Sequence, residues 1–265
     1  MKLADHRNLV TTLFALAIAF VPSGVANAQI QSAGGGYYVA GYGNVYGSFG
    51  QASAAQSRMY DQMKQQSRKT AQGETASSTA NASNTKTLAA APPRVVRNYG
   101  VYRPDETVDT GKTLADSLGG TPEEKALIRQ IYTGTKAAYE KEAAARGWKN
   151  NIAAGLTFFT ATALTVYRDA EEPSSEAADN YFKAVSSALD EIPEYASITN
   201  KEKQGFNNML IGFSGLLLAG YTEGKQQNDP ATLASYKQLA GVLIKLVLKT
   251  DPENLRMENG QIVLK

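Results

Sequence analysis

Two groups of side chains in this sequence have the types and spacing from which chemistry could be built. In the first, Glu142 and Arg146 stand four residues apart, acid before base, the order that favours an ion pair along a helix. Tyr139, Trp148, Asn150 and Asn151 lie close by in the chain. A half-buried carboxylate at 142 could bind a ligand or act as a general acid, with Glu140 or Glu223 as the second carboxylate of a glycan hydrolase. The same residues also suit a structural ion pair that fastens the junction between two helices. The second group is Tyr167 and Arg168, next to Asp169. Antiparallel helices would bring it near Tyr221 and Glu223, with Arg168 and Glu223 as an expected pair.

Residue types that are missing narrow the chemistry further. The 265-residue chain has no cysteine, and its one histidine, His6, lies near the start. A Ser-His-Asp triad, a cysteine nucleophile, a histidine-bearing zinc site and c-type haem attachment are therefore excluded, as are disulfides. No metal or cofactor is implied. Of 27 basic and 25 acidic residues, Lys2, Arg7 and Asp5 fall in the first 28, leaving 25 and 24. So even a balance makes no electrostatic case for nucleic acid or an anionic membrane as the main partner.

The elements that must position these groups are helices. Thr121-Pro122-Glu123-Glu124 reads as a capping box with proline at the first helical position. The stripe Ile128, Ile131, Tyr132, Thr135, Ala138 and Tyr139 follows, and Gly147 is the stop. From Trp148 to Arg168 the chain is apolar on nearly every helical face, with Asn150 or Asn151 as cap, so this helix belongs in the middle of a core. A membrane span is the competing reading, but the run is short for one and carries four threonines, at 157, 160, 162 and 165.

A third helix starts at Ser174 or Ser175, with Ala178, Tyr181, Phe182, Val185, Leu189 and Ile192 inward, and ends at Pro193. Thr199 to Glu202 forms a second capping box, opening a helix with Phe206, Met209, Leu210, Phe213, Leu217 and Tyr221 inward. Asp229-Pro230 opens a fifth, with Leu233, Tyr236, Ala240, Leu243, Ile244 and Val247, and Asp251-Pro252 ends it. Asn259-Gly260 between two short apolar runs is a hairpin signal. The predicted fold is all-α: an up-and-down bundle of about five helices over residues 121–265 with a short C-terminal β-hairpin.

Ahead of the bundle the chain changes character. Residues 1–28 have the parts of a secretory signal: Lys2 and Arg7, an apolar run from Leu9 to Val21, and Ala26-Asn27-Ala28 as the cleavage site. Export to the periplasm or the extracellular space is expected, with no stable membrane span after cleavage. Residues 29–93 read as a disordered leader, first Gly/Tyr-rich and then Ala/Ser/Gln-rich. It is either an adhesive segment or only a linker. Residues 94–120 read as an extended connector, broken at Pro104 and Gly119-Gly120.

The run from Tyr139 to Trp148, the Asn150-Asn151 pair with the apolar helix after it, and the run from Leu218 to Glu223 resemble a C-terminal helical domain of exported bacterial proteins of unknown function. The resemblance covers about 105–265 and implies a bacterial, exported setting without catalytic residues. The functional expectation is a non-catalytic exported helical module that binds a protein or an envelope component. The alternatives are a helical domain holding a small apolar ligand and a carboxylate-based glycan hydrolase.

Overall fold

The structure, a computed structural model, describes residues 97–265. The signal and leader expected over 1–93 lie outside the described residues. The described chain folds as an all-α bundle closed by a two-stranded antiparallel hairpin, as the helix signals require.

Its helices are α1 (Thr110–Leu118), α2 (Pro122–Ala145), α3 (Ile152–Arg168), α4 (Ser175–Asp190), α5 (Glu194–Ser197), α6 (Asn200–Gln226) and α7 (Pro230–Leu243). Both capping boxes form, Thr121 with Glu124 and Thr199 with Glu202. Each satisfies orphan donors of a first turn. Asn151, Ser174 and Asp229 cap α3, α4 and α7. At the end of α2 Gly147 adopts φ +72, while Trp148 N–H reaches Ala143 O and Gly147 N–H reaches Ala144 O. That paired return is a Schellman motif, and it requires the left-handed residue that glycine supplies without strain.

Two helices were not expected. Within the supposed connector, Asp109 accepts from Lys112 N–H and starts α1, which buries Leu114 and Ala115. A nine-residue helix is too short to hold itself; Leu114 seats against Gly212 of α6, where a Cβ would come within 2.3 Å of it. The other is α5, a single turn that buries Tyr195.

α3 is buried without a break from Ile152 to Val166. Ile152, Leu156, Phe158, Phe159, Leu164 and Val166 are each at most 3% exposed, and burial of each is worth about 1.5 to 3 kcal/mol before ordering costs. Its threonines turn inward too: Thr157 returns its hydroxyl to Ala153 O, and Thr160 meets the Tyr181 hydroxyl.

A second helix is as central. α6 packs on α3, α7, α2 and α1 at once. Glycines let it do so, since a Cβ on Gly215 would meet Thr135 Oγ1 at 2.4 Å and one on Gly220 would meet Tyr236 Cζ at 1.7 Å.

α7 runs on through a π-helical turn, Ile244–Leu248. Together, Pro230–Leu248 is the one helical run among the described residues long and apolar enough to cross a membrane, and a third of it is buried in the bundle. The hairpin pairs β1 (Leu255–Glu258) with β2 (Gln261–Leu264) through Asn259 and Gly260, both at positive φ. That pair of left-handed residues matches the right-handed twist of the strands.

Residues 97–105 form a strap across one pole of the bundle. Tyr102 N–H donates to Asn150 O, Ile152 N–H donates to Gly100 O, and Val101 bridges Asn151 in antiparallel fashion.

Candidate functional site

The first group of candidate residues does not assemble into one site. Arg146 is its hub. Nε donates to Glu142 Oε1 at 2.8 Å, Nη1 to Asp179 Oδ1 at 2.7 Å and Nη2 to Ser175 Oγ at 3.1 Å. The guanidinium carbon sits 5.0 Å from the centre of the Trp148 ring, whose other neighbour Phe182 stacks at 4.4 Å and 12°. The side chains of Arg146, Glu142 and Asp179 are 15%, 29% and 44% exposed. Each nitrogen of the guanidinium is thus engaged, and both carboxylates face the same cation.

That geometry corrects the expected junction. Arg146 ties the end of α2 to α4, through Asp179 and Ser175, and not to α3. Sequence spacing exposed the i, i+4 partner but not Asp179, which comes from another helix.

The remaining members of the group have other tasks. Tyr139 lies in the core against Phe158, ring centres 5.5 Å apart. Asn150, at φ +53, offers its carbonyl to the strap. Asn151 caps α3 by accepting from Ala153 N–H at 2.9 Å.

At the second group, antiparallel packing does bring Tyr221 to the end of α3, but the expected pair of Arg168 with Glu223 does not form. Arg168 donates to Glu253 Oε2 at 3.0 Å and to the carbonyls of Pro252, Glu253 and Leu255. Tyr167 joins it on Glu253. The reason is chain geometry: the 3₁₀ turn Pro252–Asn254 presents two carbonyls, and Leu255 just after it a third, to one guanidinium. Glu223 accepts instead from Gln227 on its own helix.

Asp169 is the acceptor that Tyr221 finds, together with Lys225 at 2.6 Å and Lys237 at 3.0 Å. Lys225, then Tyr221 and Lys237, hold its carboxyl well below the usual carboxylate range. One side chain therefore links α3, α6 and α7. Its φ of +53 is a left-handed helix end, a conformation that aspartate tolerates better than most residues.

A third cluster was missed by sequence reasoning. Tyr102, Tyr132, Tyr139 and Asn207 are all at least nine-tenths buried. Burial pushes all three phenols up, Tyr132 to about 12, and the Asn207 amide partly offsets the rise at Tyr102 and Tyr139. Yet neither the Tyr139 hydroxyl nor Asn207 Oδ1 meets a partner in hydrogen-bonding geometry. Asn207 fits only because Gly155 faces it, where a Cβ would stand 2.3 Å from Oδ1. Asn207 sits on the inward face of α6, and a polar residue in an apolar stripe was the signal available.

Among the described residues no three acidic or histidine side chains gather closely enough to hold a metal ion. Residues 6–265 match a family described as a family of unknown function, DUF6683. The chain belongs to that family. The match takes in the leader as well as the bundle, beyond the 105–265 over which the resemblance was read. No curated protein and no solved structure matches the chain.

Proposed function

We propose that this DUF6683 member is an exported bacterial, non-catalytic helical module that binds a protein or an envelope component. The observation that carries this reading is the closed network at Arg146. Glu142, the best-placed carboxylate for acid catalysis, lies against a guanidinium that also engages Asp179, Ser175 and Trp148. A general acid must give up a proton to a substrate within hydrogen-bond reach, and Glu142 Oε1 is already taken by Arg146 Nε at 2.8 Å. Binding a small apolar ligand between the helices is disfavoured by the glycine contacts, which bring α6 against Leu114, Thr135 and Tyr236. Export rests on the basic start, apolar run and small-residue site of residues 1–28.

The test uses purified chain from Gln29 onward, incubated with bacterial envelope fragments that contain their glycan. The reading expects co-sedimentation without release of reducing ends, and equal co-sedimentation by Glu142→Gln. Release of reducing ends that disappears in Glu142→Gln would establish the hydrolase instead.

A further inference from the structure

The strap is held differently from the rest of the bundle. Side chains grip its backbone as they would a bound peptide. The Asp190 carboxylate accepts from Arg97 N–H at 3.1 Å and from Tyr99 N–H at 2.9 Å. Asn200 Oδ1 accepts from Arg103 N–H, and Gln204 accepts from Asp105 N–H and donates back to its carbonyl. Between these clamps the bonds to Asn150 and Ile152 make a short antiparallel ladder, the way an added strand is recognised. Tyr102 is the anchor, 7% exposed beside Tyr139 and Asn207, while Val101 faces outward at 44%.

All these partners lie on α2, α3, α4, α6 or the link between α2 and α3, and none on α1, the helix the strap leads into. Only the turn from Asp105 to Val108, exposed at Glu106 and Thr107, connects strap and α1. Recognition therefore does not depend on strap and groove belonging to one molecule. The groove is also specific to this segment. A Cβ at position 100 would come 2.7 Å from Asn151 Oδ1 and 3.0 Å from Leu189 Cδ1. Two amides two residues apart, those of 97 and 99, are needed for Asp190, and a buried ring is needed at 102. The ligand that meets these demands residue by residue is another copy of 97–105.

We infer that the strap exchanges between two copies of this chain, each seating its Tyr102 in the groove of the other. Exchange keeps every groove contact and changes only which copy supplies the segment, the low-cost route to a dimer. The covalently attached strap competes at an effective concentration on the order of millimolar. Exchanged pairs thus accumulate when copies are concentrated. This stands apart from the proposed function, since it requires neither export nor an outside partner.

The lack of native cysteine makes a clean test possible. Val101 and Asn151 are bridge partners, and facing residues of an antiparallel pair lie within disulfide reach. The full chain carrying both Val101→Cys and Asn151→Cys should close an intramolecular disulfide in dilute solution, which verifies the groove. Chains carrying one cysteine each are then mixed at about millimolar concentration, diluted and oxidised. The expected product is a mixed disulfide dimer several-fold more abundant than either homodimer. Adding Tyr102→Ala to the Val101→Cys chain should abolish that excess, because the strap loses its buried anchor.

A mixed dimer at or below the twofold excess over either homodimer that random pairing gives, or one insensitive to Tyr102→Ala, overturns the exchange. So does failure of the double variant to close its own disulfide, since the strap would then not lie in the groove.

Discussion

Arg146→Ala is the substitution whose consequence the structure defines best. It removes three hydrogen bonds and the guanidinium that covers one face of Trp148. Asp179, 44% exposed, returns to water at little cost, so its share is that of a surface pair, about 0.5 kcal/mol. Glu142 is 29% exposed and loses a charge-assisted bond while staying partly desolvated, worth about 1 kcal/mol. The uncovered indole adds about 0.5 to 1 kcal/mol. The total is about 2 to 2.5 kcal/mol, or a fall in Tm of about 4 to 10 °C for a domain of this size. Glu142→Ala alone should cost about 1 kcal/mol, and the double variant should cost less than the sum by about 0.5 to 1 kcal/mol, because no orphan charge remains. Urea unfolding followed by tryptophan emission reads this directly, as Trp148 is the only tryptophan in the chain. Its folded-state emission should also shift to the red in Arg146→Ala. A cost below about 0.5 kcal/mol with additive single changes, the behaviour of a solvated surface pair, would refute the closed-network account.

Two glycine substitutions should act in opposite directions. Gly134→Ala on α2 meets open space and should stabilise by about 0.5 to 1 kcal/mol, whereas Gly220→Ala drives a methyl into Tyr236 and should cost about 1 to 3 kcal/mol in thermal unfolding. Asp169 predicts an acid limb of stability. Its folded pKa lies below the unfolded value near 4, so its contribution is complete above that value and is lost as pH falls through the folded pKa. The urea midpoint of Asp169→Asn should therefore trail the wild type at pH 7, with the gap starting to narrow only as pH falls below the unfolded value; a gap unchanged down to pH 2 would remove the pairing from the account. Limited proteolysis should leave a resistant fragment that starts at or just before Arg97 and keeps the C-terminus, because Asp190 holds the amides of Arg97 and Tyr99. Early cuts within 98–105 would show that the strap is not bound.

Local signals are strongest where a few neighbouring residues satisfy one another. Both capping boxes, the Gly147 stop, the Asn151 cap and the Asn259-Gly260 hairpin all arise within four residues of sequence, so they could be read directly. The apolar run of α3 was as legible, because a helix without a polar face has only a core to occupy. The absence of cysteine, and of histidine after His6, excluded whole classes of chemistry before any fold was known. What the sequence could not decide was pairing between distant segments. Nothing local says that Arg146 reaches Asp179, that Arg168 meets the carbonyls after Pro252, or that Asp169 collects Tyr221, Lys225 and Lys237. Nor does it say that Asn207 is tolerated in the core because Gly155 stands opposite. A helix end or a turn is stabilised by its own neighbours, whereas these contacts exist only once packing has brought separate helices together, and α1 and the strap are ordered by that packing alone.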